Sequence, residues 1–94
     1  MRQPKGPSKR TAALTRARVA GFEGDTREFA RLVVESRVGR EALNAAWRVG
    51  EAERLVVSRG VDPSLSPREA SRYQGEILSP LWAAQARCEE VSRG

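Results

Sequence analysis

Apolar residues recur at helical spacing in the middle of the chain. Residues 26–38 carry one stripe, centred on Phe29, Leu32 and Val33, and residues 40–58 carry a second stripe made largely of alanine and valine. Spacings of three and four residues place side chains on one face of a helix. The pattern therefore predicts an amphipathic helix in each segment, and we expect the two to pack as a hairpin.

The end of the second predicted helix is open to two interpretations. Leu55 continues the helical pattern, but the β-branched pair Val56 and Val57 could begin a short strand that ends at Val61. Residues 53–61 are therefore either helix or strand, and the unbroken helical periodicity favours helix.

The two predicted helices share one seven-residue sequence motif, called the repeated phrase below. Glu-x-x-Arg-Leu-Val-Val begins at Glu28 and again at Glu51. The repeat could reflect duplication of a binding unit. It could equally arise by chance in two amphipathic helices that are rich in the same few residue types. The phrase carries no known chemistry.

Two Ser-Pro pairs organise the second half of the chain. Ser66 suits an N-cap, Pro67 the first helical position and Glu69 the third, so the sequence predicts a helix from Ser66 to about residue 78. Ser79 and Pro80 repeat this chemistry, so Pro80 either kinks one long helix or opens a fifth that runs to about residue 92. We favour a break.

The first 22 residues have a different character. Prolines and glycine in residues 1–7 predict an extended arm. Residues 9–20 predict a weakly amphipathic basic helix that buries little apolar surface and folds on contact. The predicted fold is all-α, a small bundle of four or five short helices with a basic, partly extended N-terminal arm. We expect the arm to cover residues 1–22 and a small helical domain to cover residues 23–94.

The expected core is lean. Leu, Ile, Val and Phe together account for 19 of 94 residues, and alanine for 13. Alanine lets helices approach closely but buries little surface, and a thin core is often completed by a partner or a second copy. The composition therefore favours self-association or a protein partner.

Missing residue types exclude much chemistry. The chain has no histidine and one cysteine, Cys88, which is predicted to face inward as a small hydrophobe. Imidazole bases, Ser-His and Cys-His nucleophile pairs and the commonest zinc ligand are absent. We expect no enzymatic activity, no metal site and no cofactor. In the absence of an apolar run suited to a signal peptide or membrane helix, we expect a cytoplasmic protein without membrane contact.

Positive charge is concentrated at the start of the chain. Residues 1–22 hold six bases and no acid, whereas residues 23–94 hold eleven bases and twelve acids. Since folding of a weak helix does not explain these bases, we expect them to contact the phosphate backbone of DNA or RNA. The predicted contacts are Arg2, Lys5, Lys9, Arg10, Arg16 and Arg18.

Residues 31–50 can also be arranged as a helix-turn-helix. The second helix would then present Arg40, Asn44 and Arg48 on one face, residue types that read purines in the major groove. Against this interpretation, Glu41 and Glu51 share the helix and the predicted turn has only one or two residues. These three side chains complete the predicted nucleic-acid interface.

The tryptophans suggest a second function class. Trp47 and Trp82 suit the core or its edge, although either could instead be a stacking platform or an anchor at a protein interface. We expect a homodimer or a protein partner to contact the second and third helices near Trp47. The alternative to nucleic-acid binding is therefore an adaptor or inhibitor that docks on a larger assembly, with the basic arm in an acidic groove of that partner.

Overall fold

Four α-helices build the structure, a computed structural model that describes residues 9–93. No strand occurs within that range, so the predicted all-α class is confirmed. The predicted extended arm, residues 1–7, lies outside the described residues. The helices are α1 (Lys9–Glu23), α2 (Thr26–Glu35), α3 (Arg40–Ser58) and α4 (Arg72–Arg93).

Helix α3 is the centre of the bundle. It packs against α1 on one flank and α4 on the other, and α2 makes a smaller contact with its N-terminal half. The buried residues of α3 therefore lie on one broad face that both neighbours share. They are Ala42, Leu43, Ala45, Ala46, Val49, Gly50 and Val56. Since α3 is helical as far as Ser58, the helical interpretation of this segment is correct.

The expected hairpin of the second and third helices is not the main packing. Phe29 of α2 meets Trp47 of α3 edge to face, with ring centroids 5.0 Å apart. The more extensive partner of α3 is α1, which the sequence placed in a separate arm. Periodicity identified each helix but did not reveal which helices pair.

Helix α1 belongs to the body because small residues bring its backbone onto α3. Ala13, Ala17 and Ala20 are buried. A Cβ built at Gly21 would lie 2.1 Å from the carbonyl oxygen of Trp47, and one at Gly50 would lie 1.9 Å from that of Arg18. The prediction that residues 9–20 bury almost nothing was wrong. At this crossing the two backbones approach closely, and that contact holds α1 in place without large apolar side chains.

Two arginines bridge the same crossing in opposite directions. Arg18 of α1 donates to Glu53 of α3 through two guanidinium nitrogens, and the contact from Nε to Oε1 is 2.8 Å. Arg54 of α3 donates to the carbonyl oxygen of Phe22 at 2.9 Å, and its guanidinium carbon lies 5.5 Å from the centroid of the Phe22 ring. Polar contacts thus flank the glycine contacts and fix α1 against α3.

Helix α2 starts as predicted and ends early. The carboxylate of Asp25 accepts from the backbone N–H of Glu28 at 3.1 Å and caps the first turn. The helix ends at Glu35 rather than at residue 38, because Arg37 takes a left-handed backbone with φ of 61°. The turn from α2 to α3 consequently has four residues, 36–39.

The predicted fourth helix starts later than expected. Ser66 and Glu69 exchange the expected capping contacts, at 3.0 and 3.3 Å, but they close only a turn at residues 67–69. A second capping box, Ser71 with Gln74, starts α4 at Arg72. The Ser71–Gln74 pair is visible in the sequence, but the prediction placed the helix start at the Ser66–Pro67 pair instead.

Pro80 does not break α4, and the favoured fifth helix is therefore absent from residues 72–93. Proline lacks the N–H that would bond to the carbonyl of Glu76. Leu78 and Leu81, on either side of it, are fully buried in the cluster that α4 forms with α3, whereas Pro80 is exposed. Burial of these two leucines offsets the missing hydrogen bond.

The repeated phrase does not mark equivalent structural units. Leu32 in the first copy is 5% exposed, whereas Leu55 at the same position of the second is 63% exposed. In the second copy the next residue, Val56, is buried instead. The buried face is offset by one residue between the copies, as expected for two unrelated amphipathic helices.

Candidate nucleic-acid interface

The outer face of α3 carries the three side chains predicted to enter a groove. Arg40, Asn44 and Arg48 are all exposed. Because they lie four residues apart in a continuous helix, they form one strip along the face that neither α1 nor α4 covers. The structure therefore brings this part of the predicted site together.

The connection before this strip removes one objection to a helix-turn-helix. The four-residue turn between α2 and α3 falls within the length found in such motifs, whereas the sequence suggested one or two residues. The Phe29–Trp47 ring contact holds α2 against the flank of α3 beside the strip. The N-terminal half of α3 is thus supported by α2 while its outer face stays open.

Acidic residues beside the strip are partly neutralised. Arg87 of α4 reaches Glu41 of α3 at 3.4 Å and Glu90 of its own helix at 3.3 Å. Arg87 was not anticipated as part of the interface, since nothing in the sequence pairs positions 41 and 87. Glu51, one turn beyond Arg48, is exposed and lowers the positive potential at that end of the strip.

The exposed bases of α1 form a second group. Lys9, Arg10 and Arg16 are all exposed. Lys9 and Arg16 line a groove of about 350 Å³ between α1 and α2, together with Arg31 and Glu35. Arg31 also pairs with Glu28 at 2.6 Å, the helical ion pair that its spacing predicts. The groove carries both signs of charge, with three bases against one acid among these residues.

Arg18 has a different role from its neighbours. Its guanidinium is held by Glu53, and this side-chain hydrogen bond raises the pKa of Arg18, while partial burial acts in the opposite direction. The sequence grouped it with the phosphate-contacting bases because position along the chain does not show which arginine has an acid beside it. Arg2 and Lys5 lie outside the described residues.

Trp47 and Cys88 both contact the interior. Trp47 is half-buried and packs its ring on Phe29. Cys88 is also half-buried and packs against both core clusters, one centred on α1, α2 and α3 and the other on α3 and α4. Its predicted inward orientation agrees with this placement. A role of Trp47 at a protein interface stays a prediction.

The described part of the chain shows no metal centre. No group of three or more His, Cys, Asp or Glu side chains there is arranged to hold an ion. Within residues 9–93, no helix is both long enough and apolar enough to cross a membrane. Comparison with protein-family models, with curated proteins and with solved structures finds no match to this chain.

Proposed function

We propose that this protein is a non-enzymatic accessory or regulatory protein that binds nucleic acid. The outer strip of α3 lies against the groove of the nucleic acid, and bases of the N-terminal segment contact the phosphate backbone. The observation that carries the proposal is the exposure of Arg40, Asn44 and Arg48 on one uncovered face of a helix that follows a four-residue turn.

Each side chain of the strip has a chemical partner in duplex DNA. An arginine guanidinium can donate two hydrogen bonds to guanine, and an asparagine amide pairs with adenine through one donor and one acceptor. Residues spaced by one helical turn meet successive base pairs when a helix lies in the major groove. Helix α2, packed beside the strip, would cross the backbone.

The bases of α1 supply the sequence-independent part of the binding. Lys9, Arg10 and Arg16 are exposed, and the acids of the chain all lie beyond residue 22. Positive charge of this kind attracts the phosphate backbone and releases its condensed counterions. Arg18 is excluded from this group because it holds Glu53.

Fluorescence anisotropy with a short labelled duplex DNA, and with single-stranded RNA, at low salt tests the proposal. We expect the full chain to bind, and Arg48→Ala to weaken duplex binding by about tenfold, as for loss of one good base or phosphate contact. The matched control is Arg68→Ala, which removes the same charge from an exposed turn away from the strip. Equal affinities of the two variants, or no binding of the full chain to either nucleic acid, would refute it.

A protein-interaction module is the second candidate function. It is favoured by two large apolar side chains on the surface, Leu55 at 63% exposure and Tyr73 at 69%. Pull-down of the tagged chain with and without nuclease separates the two candidates. Partners that disappear after nuclease treatment support nucleic-acid binding, and a protein that stays bound supports the module.

A further inference from the structure

An apolar groove lies between the C-terminal half of α3 and the first half of α4. Its volume is about 370 Å³. Leu55 and Tyr73 stand at its edges and are mostly exposed, and Ile77 and Pro80 continue the apolar surface along α4. The groove shares no lining residue with the Arg40–Arg48 strip, and Leu55 lies two helical turns beyond Arg48 on α3.

Folding of one chain does not explain this surface. The core beneath it is formed by Val49, Val56, Val61, Leu78 and Leu81, all buried. Leu55 and Tyr73 lie outside this core, and polar residues would serve as well at two such exposed helical positions. Large apolar side chains grouped around a groove are typical of a surface that another molecule covers.

The charges at the groove favour one kind of occupant. Arg59 of α3 and Glu76 of α4 both line it, and neither has an ion-pair partner within the described part of the chain. One base and one acid at the rim make the surface electrically balanced, which does not suit a polyanion. They also make the surface complementary to itself. A two-fold axis that passes between the two residues places the base of each copy opposite the acid of the other copy.

We propose that a second copy of this chain covers the groove in a two-fold symmetric dimer. Leu55 and Tyr73 of the two copies form the apolar centre. Arg59 pairs with Glu76 of the partner subunit, and Glu76 pairs with Arg59 of the partner subunit. This contact uses α3 and α4, not the surface of the second and third helices near Trp47 that the sequence suggested.

A charge-exchange experiment tests the dimer directly. Sedimentation equilibrium or light scattering over a dilution series gives the dissociation constant without nucleic acid present, so the result is independent of the proposed function. Arg59→Glu alone and Glu76→Arg alone should each weaken dimerisation by at least about tenfold, because each places like charges opposite one another. An equimolar mixture of the two variants should restore it, because each heterodimer then regains two opposite-charge pairs.

The apolar centre is tested in parallel. Leu55→Gln should weaken dimerisation by about tenfold or more, since each copy loses one buried leucine contact. Val34→Gln, at a position on α2 that is 81% exposed, is the matched control and should leave the dissociation constant unchanged. Circular dichroism checks that both variants keep their helical content.

Three results would overturn the proposal. They are a monomer at every concentration, a dimer insensitive to Leu55→Gln, and a mixture of the two charge variants that stays monomeric. A monomer that instead captures one different protein through Leu55 would assign the groove to a foreign partner.

Discussion

Gly50 of α3 lies directly against the backbone of α1 at Arg18, so closely that a Cβ at position 50 would sit 1.9 Å from the Arg18 carbonyl oxygen. The same Cβ would lie 2.7 Å from the backbone nitrogen of Phe22. Backbone atoms cannot move aside as a flexible side chain can. The two helices must therefore separate to admit even a methyl group.

We expect Gly50→Ala to destabilise the protein by about 3 kcal/mol, in the upper part of the range for overpacked cores. Alanine is intrinsically a better helix former by about 1 kcal/mol, and the clash outweighs that gain. Thermal and urea unfolding followed by circular dichroism measure the change.

Gly75→Ala is the matched control for this substitution. Gly75 is also helical, but the nearest atom to its Cβ would be in the Trp82 ring at 3.9 Å, an ordinary contact. We expect this variant to gain up to about 1 kcal/mol from helix propensity. If both variants unfold at the same temperature, the close crossing of α1 and α3 is wrong.

Truncation of α1 gives a second prediction. Deletion of residues 1–18 removes buried Ala13 and Ala17 and the Arg18–Glu53 pair, so the face of α3 that α1 covers becomes exposed. We expect the remaining chain to lose cooperative unfolding and much of its helical signal. Deletion of residues 1–8 is the control, because it leaves every contact described above in place. A truncated chain, residues 19–94, that still unfolds cooperatively would show that residues 1–18 are dispensable for the body.

The Arg18–Glu53 pair should contribute modestly to stability. Glu53 is largely buried, with 15% of its side chain exposed, but Arg18 is half exposed, which screens the interaction. A double-mutant cycle with Arg18→Met and Glu53→Gln should give a coupling energy of about 1 kcal/mol. Glu51→Gln, an exposed neighbour, should change stability little. A coupling energy indistinguishable from zero would mean that the pair does not hold α1.

The pair should not make stability vary with pH near neutrality. The pKa of Arg18 is raised in the folded state. A group of this kind contributes fully below its unfolded pKa and loses its contribution only as the pH rises through the folded value. For arginine both values lie in strong alkali, so the coupling energy should be equal at pH 6 and pH 8 within error.

The loop before α4 should respond to acid. The backbone N–H and the hydroxyl of Ser64 both donate to Asp62, at 2.9 and 2.7 Å, and lower the pKa of this carboxyl below its ordinary value. Its contribution is present above the unfolded pKa and is lost as the pH falls through the folded value.

Ser64→Ala tests the cause of this shift. It should raise the pKa of Asp62 only part of the way, because the backbone donor remains and is the larger cause. Carboxyl titration by NMR measures both values. A pKa unchanged by the substitution would show that the hydroxyl does not bond to Asp62.

The sequence predicted the first three helices well, the start and continuity of α4 poorly, and the packing partners of the helices poorly. The bounds of α3 follow from periodicity and from glycines beside each end, and the three exposed residues of its strip follow from spacing alone. The place of α1 did not follow, because a hydrophobicity pattern undervalues alanine and glycine where backbones touch. The continuity of α4 through Pro80 depends on burial of Leu78 and Leu81 against another helix, which no local signal encodes.

Part of the candidate site could be predicted from the sequence, namely its exposed bases, and part could not, namely the ion pairs that involve them. Exposure of Lys9, Arg10 and Arg16 agrees with the basic segment seen in the sequence. Arg18 is paired with Glu53 and is therefore not available to phosphate, and Arg87 partly neutralises Glu41. Both ion pairs join residues that are distant in the chain. Long-range ion pairs of this kind decide which charges remain available to a ligand.

The salt dependence of binding tests the proposed function most directly. With Arg18 excluded, five bases remain in residues 1–22, and at about 0.9 per phosphate contact the log-log slope for duplex DNA should be roughly −4.5. Arg16→Ala should flatten this slope by about 0.9, while Arg68→Ala leaves it unchanged. A slope near zero, or two variants with the same slope as the full chain, would contradict the account and leave these bases as surface charge that serves solubility.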